Sequence, residues 1–391
     1  MTFLGVVGIL LGLLSARFAF VAADRLRVSV FVLAYILHIA ASITYYVFVQ
    51  SRDADTALYY YDPINYYHEY GFGSSTAFII WFVQIIKQNV GGTYLDFFLL
   101  FQAFGFFGIA LLMRTIEELW NEVNVRQPLF SYALLLCPSL HWWTSGIGKD
   151  APFFLAIVLG IWASLHLRQR LAWMVLSIGA ILAIRPHIAL IVLAALFVMA
   201  LTERRIALWR RAALSIAAGL GIWGAVATMQ TLNIDITNPE TLSFALEVRE
   251  NVLNSADSGD SRVDGAYPVR VLSLLFRPMF FDAEDMFGYI TSIENVLIVL
   301  LVAFGLLWLP TLLYLTRRLA FVRFSLTALV CIICFLALTY FNVGLGLRQK
   351  WTMIFPFLLV LFVTVVAFRR ARANAVVAGP ILAVSGKPAP A

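Results

Sequence analysis

Long apolar runs separated by polar segments dominate this sequence. A membrane-spanning helix needs about 20 predominantly apolar residues, within a range of roughly 17 to 25. Runs that reach or approach this length occupy residues 3–22, 28–49, 95–113, 129–143, 151–167, 171–184, 187–202, 211–231, 289–316, 319–341 and 351–368. The pattern predicts an all-α, polytopic membrane protein with about 11 transmembrane helices and large outer loops. Residues 1–368 are then one transmembrane domain, and 369–391 are a disordered cytoplasmic tail.

The composition agrees with a membrane protein. The 391 residues are 62% apolar and 13% charged, with a mean hydropathy of +0.87, whereas soluble domains carry roughly 25% charged residues. This excludes soluble globular and disordered classes. Cys137, Cys331 and Cys334 all lie in apolar runs, which excludes a disulfide framework and supplies no zinc pattern.

Charge alternates between successive loops, and this predicts the orientation. Arginines collect in every second loop, as in the cluster at Arg204, Arg205, Arg210 and Arg211. Basic loops stay in the cytoplasm, so the N-terminus is expected outside and the C-terminus in the cytoplasm. The net charge of +6 then reflects topology, and no nucleic-acid partner is expected.

Residues 171–202 allow two interpretations. They are either one long helix kinked at Pro186 or a hairpin of two short helices with Arg185 and His187 at its tip. A single helix would place the arginine cluster of 204–211 outside, against the rule for basic loops. We therefore predict a hairpin whose short arms hold its tip below the outer surface.

The first outer loop, residues 50–94, is a candidate catalytic segment. Asp53, Asp55 and Asp62 follow a predicted span and lie among tyrosines. Such carboxylates can accept a proton from a hydroxyl nucleophile or bind a divalent cation. The alternative is that Asp62 and Pro63 only cap a helix. The apolar stretch 77–86 is too short to span, so we predict an amphipathic helix along the membrane surface or a re-entrant segment.

A second candidate is the turn PSLHWWTSGIGKD at residues 138–150. It lacks the first glycine and the final Ser or Thr of a nucleotide-binding phosphate loop, so nucleotide binding is excluded. A glycine-containing turn before a helix starting near Asp150, with Lys149 beside it, can still hold an anion such as a phosphate. The alternative is a simple Lys149–Asp150 pair at the membrane boundary.

Further cations lie near predicted outer turns: Arg185, Arg277, Arg348 and Lys350. An arginine at mid-membrane costs roughly 2.5–3.5 kcal/mol, so one that persists usually faces a polar cavity or a counter-charge. For Arg348 and Lys350, which follow a predicted glycine-bearing turn at 342–346, snorkelling to the headgroups is the alternative. The outer loop 232–288 contains a polar stretch, 233–270, that we predict to be a mobile loop or lid.

These motifs resemble polytopic proteins of bacterial exopolysaccharide and O-antigen gene clusters, which are similar in layout to glycosyltransferases of the GT-C superfamily and to polysaccharide polymerases. The motifs are D-x-x-x-Y at 62–66, the 138–150 turn, IRPH at 184–187, FRP at 276–278, S-x-E-N at 292–295 and RQK followed by M-x-x-P at 348–356. The resemblance covers roughly residues 50–368.

The resemblance implies transfer from a polyprenyl-phosphate-linked glycan outside the cytoplasmic membrane. Asp62 is the first candidate for the catalytic base, followed by Asp55 and then Asp53. The donor phosphate is assigned to Lys149, Asp150, Arg185, His187, Arg277, Arg348 and Lys350, and acceptor contacts to Tyr66, His68 and Glu69. These motifs establish no cofactor, and a divalent cation, Mg²⁺ or Mn²⁺, is the candidate left open. Membrane lipids and other polysaccharide assembly proteins are the expected partners.

Two other classes fit the same features. A transporter or flippase of a lipid-linked glycan or organic anion needs a polar path through the whole bilayer, and the predicted spans carry few charges in their cytoplasmic half. A structural subunit of a synthase complex would tolerate loss of every outer charge. The enzyme prediction requires the early aspartates and the later cations to meet in space.

Overall fold

The computed structural model describes residues 2–21, 24–52, 54–62, 65, 67–68, 71–128, 130–202, 212, 215–216, 219, 223, 265–339 and 342–385. Within these ranges the regular structure is helical, without a β-strand element. The α-helices are α1 (Phe3–Leu14), α2 (Ala16–Ala19), α3 (Arg25–Val49), α4 (Asp55–Tyr61), α5 (Thr76–Asn89), α6 (Tyr94–Glu122), α7 (Phe130–Ala133), α8 (Pro138–Trp143), α9 (Asp150–Leu165), α10 (Leu171–Ile184), α11 (Pro186–Thr202), α12 (Tyr267–Phe276), α13 (Met286–Leu307), α14 (Leu309–Arg318), α15 (Ala320–Leu338), α16 (Val343–Gln349) and α17 (Phe355–Ser385).

Five helical segments in the described residues are long and apolar enough to cross a membrane: Arg25–Val49, Tyr94–Glu122, Met286–Leu307, Ala320–Leu338 and Val343–Ala375. Shorter apolar helices, among them α9, α10 and α11, accompany them. The prediction of an all-helical membrane protein is therefore confirmed at this level. Residues 211–231 lie largely, and 232–264 wholly, outside the described residues.

The helix α6 is the central element of the fold. Its most apolar stretch is 83% buried, against 28% for α3, and it packs against α1, α3, α9 and α17. Since lipid tails are as apolar as leucine, close van der Waals packing has to hold such helices together. Gly105 allows this close packing, because a side-chain Cβ at that position would lie only 1.8 Å from the Thr144 carbonyl oxygen.

Buried polar groups also connect the helices. His38 of α3 and His141 of α8 are almost fully buried, and their Nδ1 atoms lie 3.1 Å apart. The Nε2 atom of His38 lies 3.0 Å from the Gln102 carbonyl oxygen, which joins the pair to α6. These contacts hold α8, and with it the turn that follows, against the centre of the protein.

Several predicted breaks and starts are confirmed. Helix α10 ends at Ile184 and α11 begins at Pro186, with Arg185 outside helical geometry. A helix begins at Asp150, and the stretch 77–86 lies in the helix α5.

Other predicted boundaries are wrong. The run 129–143 is divided, because Cys137 leaves helical geometry with a ψ of 121° before Pro138, as the residue before a proline usually does. The run 289–316 is divided at Trp308, where α14 starts with Pro310 in its first turn. The stretch 342–346 is not a turn: Asn342 caps α16, which runs through a π-helical segment into α17. The helix α17 continues through Ser385.

Candidate functional site

The helix α4 carries Asp55 at its first position, where a carboxylate is favoured by the helix dipole. Contacts from α5 and α6 hold α4 in place. The Gln84 Nε2 atom donates to the Tyr60 carbonyl oxygen at 2.9 Å, and the Tyr94 hydroxyl donates to the Thr56 hydroxyl at 2.6 Å. The Asp55 side chain itself stays 62% exposed, so it is accessible to a second molecule.

The turn between α8 and α9 is packed tightly against two tyrosines. A Cβ at Gly146 would lie 2.4 Å from Cε1 of Tyr45, and Gly148 has a φ of +150° with its Cβ position 3.1 Å from Cε2 of Tyr59. Glycine is required at residue 146 because of this close approach, and at residue 148 because the backbone there adopts a region that other residues rarely adopt. The turn ends at Lys149, directly before α9.

Four separate segments meet at Asp150. Its Oδ1 atom accepts a hydrogen bond from Nη2 of Arg185 at 2.5 Å, and its Oδ2 atom accepts one from Nε of Arg348. The Nη1 atom of Arg348 also lies 3.2 Å from Oδ2 of Asp55. Together with Lys149, these residues form what we call the Asp150 cluster: Asp55, Lys149, Asp150, Arg185 and Arg348.

The Asp150 cluster has an excess of one positive charge, since three cations face two carboxylates. The Asp150 and Arg185 side chains are each only 10% exposed and that of Arg348 is 21% exposed. Charges interact more strongly at partly buried positions than in water. An anion that reaches the accessible edge of the cluster would therefore be attracted.

Lys149 is part of this electrostatic environment. Its Nζ atom donates to Oγ1 of Thr76 at 2.9 Å and to Oγ of Ser75 at 3.3 Å, at the start of α5. The pKa of Lys149 is lowered to about 8, first by burial and then by Arg185 and Arg348, while Asp55 and Asp150 act in the opposite direction. Lys149 is thus a cation that loses its positive charge as the pH rises through about 8.

Lys350 does not join the Asp150 cluster. Its side chain is fully buried, and its Nζ atom donates to Oδ1 of Asn295 at 2.7 Å and to the Arg277 carbonyl oxygen at 2.9 Å. Glu294 is close enough to interact electrostatically with Lys350 and accepts hydrogen bonds from the N–H and hydroxyl groups of Ser139. These groups are the Lys350 network: Ser139, Arg277, Glu294, Asn295 and Lys350.

The geometry does not support the predicted role of Lys350 in binding a lipid phosphate, because its ammonium group is enclosed and bonded to protein oxygens. The Arg277 guanidinium binds Asp282, with Nη2 lying 2.6 Å from Oδ1. Burial raises the pKa of Asp282, but hydrogen bonds from Arg277 and from the Met279 N–H outweigh it and leave the pKa below its ordinary value. Arg277 and Lys350 are therefore bonded within this neighbouring network.

The other predicted residues either have partners outside the Asp150 cluster or lie outside the described residues. Asp62 has a left-handed backbone conformation and accepts a hydrogen bond from the Tyr67 N–H at 2.8 Å. His187 stacks on Phe335 at a ring-centroid distance of 5.4 Å, and His68 is exposed. Three predicted residues lie outside the described residues: Asp53, Tyr66 and Glu69.

The structure adds groups that the sequence analysis missed. Ser75 and Thr76 bind Lys149, and Tyr59 lies under the glycine turn. Burial, followed by the nearby Asp55, raises the pKa of Tyr59, so its hydroxyl stays neutral. A Ser-Thr pair before an apolar stretch is a helix-start signal that can be seen in the sequence. That this pair would lie beside Lys149 could not be predicted from the sequence. No group of three His, Cys, Asp or Glu side chains suited to a metal ion occurs among the described residues.

Comparison with known proteins identifies no relative. No protein-family model matches the chain, and neither the search of curated proteins nor that of solved structures finds a significant match. The geometry of the described residues therefore carries the functional proposal.

Proposed function

We propose that this chain is a membrane-embedded glycosyltransferase or polysaccharide polymerase that uses a polyprenyl-phosphate-linked donor. It belongs in the bacterial cytoplasmic membrane, with a GT-C-like arrangement of about eleven spans. The N-terminus is outside, the C-terminus is in the cytoplasm, and transfer occurs at the outer face.

The single observation that supports this proposal is the meeting of Asp55, Asp150, Arg185 and Arg348. Asp55 and Arg348 are 293 positions apart in the sequence, yet they are directly hydrogen-bonded. An exposed carboxylate beside a partly buried cationic group supplies the two functions that glycosyl transfer from a phosphate needs: a base for the acceptor and stabilisation of the leaving anion.

The chemistry is assigned as follows. Asp55 takes the proton of an acceptor hydroxyl, and the hydroxyl oxygen forms a bond to the anomeric carbon of the donor. The bond between that carbon and the phosphate oxygen breaks, and the phosphate leaves with the electron pair. Arg348, Arg185 and Lys149 stabilise the charge that develops on it.

Asp150 has a positioning role in this scheme. One carboxylate oxygen holds Arg185 and the other holds Arg348, so the two guanidinium groups are fixed without substrate. Preorganised donors stabilise a developing charge without reorganising during the reaction. Asp62 is placed second to Asp55, because the Asp55 carboxylate is bonded to Arg348 of the cluster, whereas that of Asp62 accepts the Tyr67 N–H at its own turn.

The test is transfer by the full chain in lipid nanodiscs. A set of polyprenyl-phosphate-linked sugars is supplied with glycan acceptors, and released polyprenyl phosphate is measured. We expect Asp55→Asn to abolish transfer and the matched variant Asp62→Asn to retain it, since an asparagine oxygen can still accept the Tyr67 hydrogen bond. Full activity of Asp55→Asn would overturn the assigned base. Movement of the labelled donor between leaflets without release of polyprenyl phosphate would favour the transporter.

A further inference from the structure

A patch of exposed arginines lies at the seam between α14 and α17, apart from the proposed active site. It consists of Arg317 and Arg318 at the end of α14 and Arg369 and Arg372 in α17, and all four are exposed. No carboxylate of the described residues forms an ion pair with them, and the sequence contains no Asp or Glu after Glu294. We call these four residues the arginine patch.

Aromatic contacts hold the arginine patch together. The Arg369 guanidinium lies 3.1 Å from the ring centroid of Trp308, which precedes α14. The rings of Tyr314 and Phe368 lie 5.7 Å apart and connect α14 to α17. Arg318 lies 5.5 Å from the Tyr314 ring and Arg372 lies 5.9 Å from the Phe368 ring. The cations of both helices are therefore gathered around one aromatic seam.

The patch lies at the ends of three candidate spans. Met286–Leu307 ends next to α14, Ala320–Leu338 begins directly after it, and α17 brings the end of Val343–Ala375 to the same place. Helix termini that meet in this way mark a membrane–water boundary. Basic side chains at such a boundary interact with anionic lipid headgroups, each worth about 1 kcal/mol near the surface.

Apolar side chains beside the arginines complete the surface. Leu306 is 66% exposed and Leu307 is 75% exposed at the end of α13, and Leu313 of α14 is 47% exposed. Leu306 and Leu307 end the candidate span Met286–Leu307, so in a membrane they contact acyl chains, while the arginines beside them attract an anion. A soluble anion or an acidic protein would meet only the arginines. A lipid satisfies both requirements, because its phosphate meets the guanidinium groups and its acyl chains meet the leucines.

From this combination we infer that the seam between α14 and α17 is a binding site for an anionic phospholipid, whose headgroup phosphate is held by the arginine patch and whose acyl chains lie on α13 and α14. The aromatic contacts of Arg369 and Arg318 orient the guanidinium groups in advance. This inference does not depend on the proposed glycosyl transfer.

The experiment uses the full chain purified in a neutral detergent. Phosphatidylglycerol, phosphatidylcholine with the same acyl chains, and inorganic phosphate are titrated separately, with native mass spectrometry and the unfolding temperature as readouts. We expect binding and stabilisation with phosphatidylglycerol alone. In Arg318→Gln/Arg372→Gln the affinity should fall roughly thirtyfold, about 2 kcal/mol at 1.4 kcal/mol per factor of ten.

A matched control is Arg25→Gln/Arg126→Gln, which removes two exposed arginines elsewhere and should leave the affinity unchanged. The charge-preserving variant Arg318→Lys/Arg372→Lys should keep most of the binding, which separates a charge effect from misfolding. Equal stabilisation by phosphatidylcholine, full stabilisation by inorganic phosphate, or equal loss in the control variant would each overturn the inference.

Discussion

The Arg348 Nη1 atom lies 3.2 Å from the Asp55 Oδ2 atom, so a residue in the chain's final third directly contacts one in the short helix α4 near its start. The other side of the same guanidinium binds Asp150 through Nε. Arg348 is thus the residue through which the exposed carboxylate and the buried one are connected.

Replacing Arg348 tests the geometry of the guanidinium as well as its charge. Lysine keeps the charge but cannot bind two carboxylates in a fixed fork. We expect Arg348→Lys to lower the rate of transfer by about 10²–10³, as loss of one preorganised donor does elsewhere. Release of polyprenyl phosphate under single-turnover conditions measures this effect. The exposed Arg52 provides the control Arg52→Lys, and equal rates in both variants would contradict the prediction.

The affinity for a polyprenyl phosphate should depend on pH through Lys149. The pKa of Lys149 is lowered to about 8 from 10.5, so the ammonium loses its charge as the pH rises through about 8. An anion binds better to the charged form, and binding in turn raises the pKa. Affinity should be highest below pH 8 and decline by up to about tenfold per pH unit above it.

Titration of polyprenyl phosphate into the full chain between pH 7 and 9.5 checks this dependence. Lys149→Arg stays charged over the whole range, and its affinity should change much less. Parallel curves for the two proteins would remove Lys149 from the anion site.

The close contact at Gly146 predicts a specific loss of stability. A methyl group there would lie 2.4 Å from the Tyr45 ring, and overpacking of this kind costs roughly 1–3 kcal/mol. Gly179, within α10, has no atom within 4 Å of its Cβ position. Gly179→Ala should therefore be neutral or stabilising by up to about 1 kcal/mol. Unfolding in detergent compares the two variants, and equal stability would contradict the tight turn.

Lys350 should act on stability and not as a phosphate ligand. Its ammonium group is buried near Glu294 and bonded to two protein oxygens. Removing one member of a buried charged pair costs about 3–5 kcal/mol. We expect Lys350→Met to lower the unfolding free energy by this order, and Glu294→Gln in the same chain to restore part of it by removing the opposite charge.

Thermal unfolding of the single and double variants measures the rescue. The folded fraction of Lys350→Met should bind polyprenyl phosphate with nearly unchanged affinity, because Lys350 lies outside the Asp150 cluster. A large loss of affinity without loss of stability would return Lys350 to the anion site.

Local patterns in the sequence predicted many elements correctly. The apolar runs over 28–49 and 95–113 lie in long helices, the break at Arg185 and Pro186 is present, and α9 starts at Asp150. Proline and capping residues act on their immediate neighbours, so their effects can be predicted without tertiary contacts. The failure at 129–143 shows one limit, since hydropathy does not distinguish one helix from two short ones. The failure at 342–346 shows another, since glycines that indicated a turn lie in a helix capped by Asn342.

By itself, the sequence determined that the chain is helical and membrane-embedded, because both properties follow from local apolar periodicity and length. It also identified Asp55, Lys149, Asp150, Arg185 and Arg348 as charges that needed an explanation. Only the tertiary structure separated these five from the other charged residues that had been given the same roles. The physical reason is that the role of a charged side chain depends on the groups that surround it in space. Lys350 and Arg348 are two positions apart, but Lys350 is enclosed by protein oxygens, whereas Arg348 joins two carboxylates.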